Sequence, residues 1–237
     1  MEKCYIQLYS LKEEVAKDFD AVLRRVSEMG YTGVEFYGGV YGGHSASSLK
    51  KLLASLNLEA LSSHLMSEKV PGQLEYSREL GIPYIIDPMQ NLSTDEEALK
   101  FAQTLNKTGK LCKEQGIQFG YHNHAHEFKP GKDGTLLDTL ILNTDPDLVC
   151  FQLDVGWVTH AGVDAVGFIA KYPGRFTLIH VKEDGPVASG KGNIDWKSVK
   201  TAALAQGTKA FIIEREHNYA GDIYQCVTED LAFLKAL

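Results

Sequence analysis

The sequence lacks any closely spaced pair of cysteines. Its four, Cys4, Cys112, Cys150 and Cys226, form no CxxC motif, which removes zinc-finger and dithiol redox readings and leaves buried free thiols. It also lacks an apolar run near the roughly 20 residues that cross a bilayer, so no membrane partner is expected. The opening MEKCYIQLYSL lacks the charged-then-apolar layout of a secretory leader. The expected location is therefore cytoplasmic, although a chain trimmed of its leader would read the same way. Basic charge is short: 24 Lys and Arg against 31 Asp and Glu give −7. That argues against a nucleic-acid partner while leaving room for a local basic groove. With no linker or low-complexity stretch, residues 1–237 are expected to form a single domain.

What the chain does contain is a rhythm. At 44% hydrophobic and 23% charged residues it can bury a substantial core. Short β-branched or aromatic runs at 4–9, 33–37, 58–64, 83–87, 117–122, 148–154, 176–182 and 210–214 predict eight strands. Amphipathic segments lie between them. In 15–29, Val15, Phe19, Val22 and Val26 recur at helical spacing. Gly30, Gly81 and Gly116 stand where helices should end. Eight strand–helix units of about 30 residues predict a (β/α)8 TIM barrel. A doubly wound sheet would want a GxGxxG turn, and YGGVYGGH is not one.

Alternate strand residues face opposite ways, so the apolar set fixes the polar one. Val34 and Phe36, Phe119 and Tyr121, Val149, Phe151 and Leu153, Ile179 and Val181, and Phe211 and Ile213 should meet the helices. The opposite parity should then face the barrel axis: Glu35, His64, Asp87, His122 with His124, Asp154, His180 with Lys182, and Glu214. Unpaired charge inside a barrel costs several kcal/mol, whereas the C-terminal mouth is where barrel enzymes place chemistry. Carboxylates and imidazoles converging there suit a divalent cation. Within FGYHNHAHEF, Glu127 follows the alternating His122, His124 and His126 and should arrive from the loop above them.

Several of these residues have a structural role open beside the chemical one. Glu35 can anchor a neighbouring backbone or lysine, and Asp87, before Pro88, reads first as a turn former. Lys182 can neutralise charge on a substrate or bridge to a ligand carboxylate. Glu216 shares a face with Glu214 and should lie beyond the rim. His44, His160 and His217 fall in expected loops, as bystanders or substrate contacts. The glycine-rich GKGNIDW, 190–196, can cradle an anion or simply turn the chain into a helix starting at Asp195.

The segments IQLYSLKEE, GYTGVEFYG, GYHNHAHEF, LDVGWVTHAG, IHVKE, GKGNIDW and IIEREH occur in an order that resembles the sugar phosphate isomerase/epimerase family of the xylose isomerase-like TIM barrel superfamily. The resemblance covers essentially the whole chain. It is specific for a superfamily that also includes inosose dehydratases, ketose 3-epimerases and type-2 apurinic endonucleases, and it is weak for the substrate. It implies one divalent ion (Mn²⁺, Mg²⁺, Co²⁺ or Zn²⁺) held by four side chains. Asp154, His180 and Glu214 carry over directly. Relatives with an epimerase pattern have a glutamate where this chain has His122, whereas those with a YHxH segment use a glutamate corresponding to Glu127. Glu127 is expected as the fourth ligand.

The same resemblance implies an isomerase or epimerase of a keto sugar or keto-polyol working through an enediolate. An inosose-dehydratase-like or 3-keto-sugar lyase is the alternative, and a non-catalytic sugar-binding barrel a weaker one. Candidates for the proton and charge work are Glu214, His122, His124, Lys182 and Glu35. Gln7, His64 and Trp157 are expected to contact substrate, Trp157 as a stacking wall or a packed lid. Trp157 stands where the endonucleases carry a further histidine, which speaks against DNA cleavage. The expected partner is a small sugar or polyol, and homo-oligomerisation is an expectation by analogy.

Overall fold

Side-chain caps and left-handed glycines set the lengths of the helices. In the computed structural model, residues 3–132, 134–185, 187–216 and 221–237 are described; His217 lies outside them. The helices are α1 (Lys12–Lys17), α2 (Phe19–Met29), α3 (Ala46–Ser55), α4 (Val70–Leu80), α5 (Asp95–Glu114), α6 (Leu136–Leu142), α7 (Val155–His160), α8 (Ala165–Lys171), α9 (Trp196–Ala205) and α10 (Ile223–Ala236). The helix expected over 15–29 is broken at Asp18. That residue takes an extended backbone, and its carboxylate accepts the Ala21 N–H as the N-cap of α2. Val15, Phe19, Val22 and Val26 are nonetheless all buried, so the apolar stripe survives the break. Gly30 and Gly81 close α2 and α4 at φ 90°, which a side chain would strain.

Eight parallel strands close into a barrel: β1 (Cys4–Gln7), β2 (Gly33–Tyr37), β3 (Glu59–His64), β4 (Tyr84–Asp87), β5 (Gln118–His122), β6 (Val149–Asp154), β7 (Phe176–Val181) and β8 (Ala210–Ile213). Each pairs with its neighbours in sequence, and β8 closes on β1. A two-stranded antiparallel ladder, Pro130–Gly131 with Gly134–Thr135, lies outside the barrel. This is a (β/α)8 TIM barrel of the expected kind. Among the described residues, no helix is long and apolar enough to cross a membrane.

The alternation of apolar residues holds. All eleven strand residues assigned to the helix side pack in the large outer core. A separate small cluster of Tyr5, Leu61, Ile86, Cys150, Leu178, Ala210 and Ile212 fills the barrel interior. Gly120 makes room for it, because a Cβ there would meet Cys150 Sγ and Ile86 Cδ1 at 2.8 Å. Two register shifts adjust the inward face. One falls between Val34 and Glu35 against β3 and sets Glu35 opposite Ser62; the other, between Phe151 and Gln152, sets Gln152 opposite Leu178. Above the apolar plug the barrel becomes polar.

Candidate functional site

Strand ends supply the site. His122 closes β5, Asp154 closes β6, His180 is the penultimate residue of β7, and Glu214 follows β8 directly. Each offers a ligand atom, and these atoms all lie within 4.8 Å of one another. His180 Nδ1 is 3.2 Å from Glu214 Oε2 and 3.9 Å from Asp154 Oδ2, and His122 Nε2 is also 3.9 Å from Asp154 Oδ2. All four residues are buried. Asp154 divides its labour: Oδ1 accepts the Trp157 N–H and caps α7, while Oδ2 is buried with no hydrogen-bond partner. An orphaned carboxylate oxygen facing two imidazoles and a second carboxylate is an electrostatic deficit that a divalent cation would fill, and this donor set suits one.

A buried hydrogen-bond hub beneath the four fixes their orientation. Glu35 is fully buried and accepts from Gln7 Nε2 (2.8 Å), Ser62 Oγ (2.6 Å), Gln152 Nε2 (2.7 Å) and His180 Nε2 (2.7 Å). Gln152 Oε1 in turn accepts from His122 Nδ1 (3.0 Å) and His64 Nε2 (2.7 Å). With those ring protons committed downward, His122 Nε2 and His180 Nδ1 are the ring atoms that face Asp154; His180 Nδ1–H donates to Glu214 Oε2 at 3.2 Å and would give up that proton to a cation. Asn123 ties the next turn to the end of β6: its Oδ1 accepts the Asp154 N–H at 3.0 Å.

The electrostatics follow from this packing. Burial alone would raise the Glu35 carboxyl, but the His64 and His180 imidazoles hold it well below the usual range. Burial would lower His180; Glu35 and Glu214 outweigh it and lift the ring to about 10. Burial opposes ionisation of Glu214 too, yet His180 and Lys182 bring it to about 2. Asp154 is pushed up to about 7 by burial and by Glu214, against the pull of Lys182. Burial lowers His124 to about 4, so the ring is neutral at physiological pH, and its Nδ1 is buried without a hydrogen-bond partner.

Two cavities flank the cluster and share Glu214 and Glu216. One, about 410 Å³, is lined by Tyr9, Tyr37, His64, Met89 and His124; the other, about 250 Å³, by Trp157, His160, Lys182, Asp184 and Arg215. Lys182 Nζ is 3.8 Å from Asp154 Oδ2, 3.8 Å from Glu214 Oε2 and 2.7 Å from Glu216 Oε1. It rests 4.1 Å above the Trp157 ring. Glu216 therefore stands at the mouth rather than beyond the rim.

Some expected residues are placed elsewhere. Glu127 is not brought to the cluster, and His122 takes the fourth position. The strand ends at His122 and the chain turns outward, so Glu127 sits on a short 3-10 turn on the Tyr121 side. There it accepts from the Tyr121 hydroxyl (2.5 Å) and the His124 N–H (2.9 Å) and pins the loop. Glu35 and Gln7 lie under the mouth: Gln7 is buried, donates to Glu35 and accepts the Tyr9 N–H. Asp87 has the wrong parity, since Ile86 is the inward residue of β4. Its carboxylate accepts from Ser67 and Met89 and holds the loop, as its turn reading suggests. His160 ends α7 rather than lying in a loop, and bonds Asp184. Asp195 does cap the start of α9, and at the head of the 190–196 turn the Gly190 N–H is taken by Glu183 and the neighbouring Ser189 N–H by Asp230. Gln152, Ser62 and Asn123 were missed. Gln152 had a readable signal, a polar residue of inward parity two positions before Asp154.

The xylose isomerase-like TIM barrel family profile matches residues 23–237. An inosose dehydratase of Clostridium tetani is 36% identical over 90 residues, 38% of this chain and 30% of that protein. One from Mesomycoplasma hyopneumoniae (strain 7448) is 26% identical over 190 residues, 70% and 62% of the two chains. The chain thus matches less than two thirds of the length of these curated relatives. Among solved structures, a sugar phosphate isomerase/epimerase from Parabacteroides distasonis ATCC 8503 superposes with a TM-score of 0.87 at 29% identity, covering 99% of this chain and 94% of that one. An L-ribulose 3-epimerase superposes at 0.81 with 16% identity over 100% and 94%, a likeness of fold.

Proposed function

Because the chain belongs to the xylose isomerase-like TIM barrel family, we propose that it is a divalent-cation-dependent enzyme that isomerises or epimerises a keto sugar or keto-polyol by moving a proton next to a carbonyl. The observation that carries this reading is the convergence of His122, Asp154, His180 and Glu214, with Asp154 Oδ2 buried and without a hydrogen-bond partner. These four would hold the ion. A bound divalent cation supplies positive charge where negative charge develops on the substrate oxygens.

The remaining residues suit proton transfer. His124 is neutral, lines the larger cavity and has a free ring nitrogen, so it can take the proton adjacent to the carbonyl. The Lys182 ammonium, held between carboxylates, offers a proton or a counter-charge to a developing alkoxide. Trp157 forms a wall on the same side. Glu35 and Gln152 act as positioning residues, because both are fully buried beneath the ligands.

A lyase that expels water from an inosose or related keto-polyol is the second reading, favoured by the names of the curated relatives. Incubating the Mn²⁺-loaded protein with a panel of keto sugars and inososes in D₂O separates the two. Deuterium uptake with the product mass otherwise unchanged supports isomerisation or epimerisation, and a product lighter by one water supports the lyase. His124→Ala should abolish either outcome while retaining metal. If the loaded protein exchanges no proton and releases no water from any member of the panel, the proposal fails.

A further inference from the structure

In (β/α)8 enzymes, phosphate groups are commonly held by the loops after the seventh and eighth strands, through backbone N–H groups and cationic side chains. Here those loops follow β7 and β8. Among the described residues they present the opposite charge. Glu183 and Asp184 follow β7, Glu214 and Glu216 follow β8, and Asp230 reaches the same cavity from α10.

Two N–H groups of the loop after β7 that could bind an oxyanion are already occupied. The Ser189 N–H donates to Asp230 Oδ1 at 2.8 Å, and Glu183 Oε1 accepts both the Gly190 N–H and Trp196 Nε1 at 2.6 Å. Glu183 and Asp230 are 5% and 1% exposed, so these carboxylates are built into the loop rather than draped over it. The two cations lining this cavity are equally committed. Arg215 Nε lies 3.5 Å from Asp230 Oδ2, and Lys182 faces Asp154, Glu214 and Glu216. Even with a dication at the cluster, the carboxylates of Asp154, Glu214 and Glu216 offset it and Lys182 in full, and Glu183 and Asp184 add negative charge beside them.

We infer that the site is built to exclude anionic substrates, that it takes an uncharged sugar or polyol rather than a phosphate ester, and that Glu216 is the residue that sets this preference. Glu216 makes the shortest contact to Lys182, at 2.7 Å, and lines both cavities, so it offsets the one ammonium that the described residues place at the mouth. A phosphate monoester carries about −1.5 to −2 at neutral pH and would meet the carboxylates of Glu183, Asp184, Glu214 and Glu216 at this mouth. The inference rests on the sugar-site reading above and adds the substrate's charge class to it.

The test titrates the metal-loaded protein with fructose, fructose 6-phosphate and inorganic phosphate, following heat of binding and thermal midpoint. Wild type should bind the phosphate ester at least about tenfold more weakly than the neutral sugar and show no shift with inorganic phosphate. Glu216→Gln should raise affinity for the ester and for inorganic phosphate by about tenfold, and Asp184→Asn, a change on the exposed rim, by less. An ester that binds wild type as well as the neutral sugar, or a Glu216→Gln protein no more receptive to phosphate than wild type, overturns the inference. If fructose and other neutral keto sugars all fail to bind, the sugar-site reading falls. The inorganic phosphate arm still decides the charge exclusion.

Discussion

Glu35→Gln changes one oxygen to an amide in the best-satisfied position of the hub, and the consequence can be worked through bond by bond. All four side-chain partners of Glu35 with clear hydrogen-bond geometry donate to it: Gln7 and His180 to Oε1, Ser62 and Gln152 to Oε2. A glutamine must turn its NH₂ toward one pair. Facing His180, it requires Nε2 of that ring to accept, so the ring's proton stays on Nδ1, against Glu214, and that nitrogen cannot offer a lone pair to a metal. Facing Gln152, it requires that amide to flip, presenting NH₂ to His122 Nδ1 and forcing the proton onto His122 Nε2. Either orientation removes one imidazole from the ligand set. Loss of a second-sphere partner of this kind typically costs ~10–100-fold in metal affinity, or about 1.4–2.7 kcal/mol. Calorimetric titration of metal-free protein with Mn²⁺ measures it, and far-UV circular dichroism confirms that the variant is folded. A Glu35→Gln protein that binds Mn²⁺ as tightly as wild type would show that the hub does not set the ring tautomers.

Asp154→Asn should abolish measurable Mn²⁺ binding while keeping α7 capped, because the amide oxygen can still accept the Trp157 N–H. Asp154 has a pKa raised to about 7, above its unfolded value of about 3.9, so its ionisation opposes folding increasingly as pH rises through that interval. Metal-free Asp154→Asn should consequently gain stability over wild type at pH 8 and not at pH 4, in urea melts with chelator present. Asp138 is the converse. Burial would raise it, but Lys171, the Tyr172 hydroxyl and Thr135 hold its carboxyl below the ordinary value, so its contribution is present above about pH 4 and lost as pH falls through the folded pKa. Asp138→Asn should cost about 2 kcal/mol at pH 7 and progressively less as pH falls below about 4; a loss that does not change with pH would refute the assignment.

Strand parity carried most of what the sequence revealed. Phe119 and Tyr121 fixed the outward face of β5, and with it the inward face of His122, because a period of two leaves no freedom while the strand lasts. The same rule lapses where the strand stops. Glu127 lies beyond the end of β5, and its turn toward Tyr121 depends on a loop conformation that no periodicity encodes. Parity also gives side without height. Glu35 and Asp154 both point inward, yet Glu35 sits in the middle of β2 and Asp154 at the tip of β6, which separates a support beneath the site from a member of it. Asp87 was misplaced because its short strand, YIID, is apolar on both faces until its last residue. The register shifts at Glu35 and Gln152 were invisible for a related reason: a bulge is a relation between two strands, and a single run of residues does not contain it.

The two duties of Asp154 have an optical consequence. One oxygen grips the first turn of α7, where Trp157 lies 4.1 Å beneath an ammonium and beside His124 at 5.5 Å; the other faces the rings of His122 and His180. A cation held at that second oxygen would add positive charge to the surroundings of the indole. The only other tryptophan in the chain, Trp196, is 3% exposed and tethered to Glu183. Intrinsic emission from this protein is therefore a built-in gauge, with Trp196 enclosed as a reference and Trp157 beside the charge that loading would change.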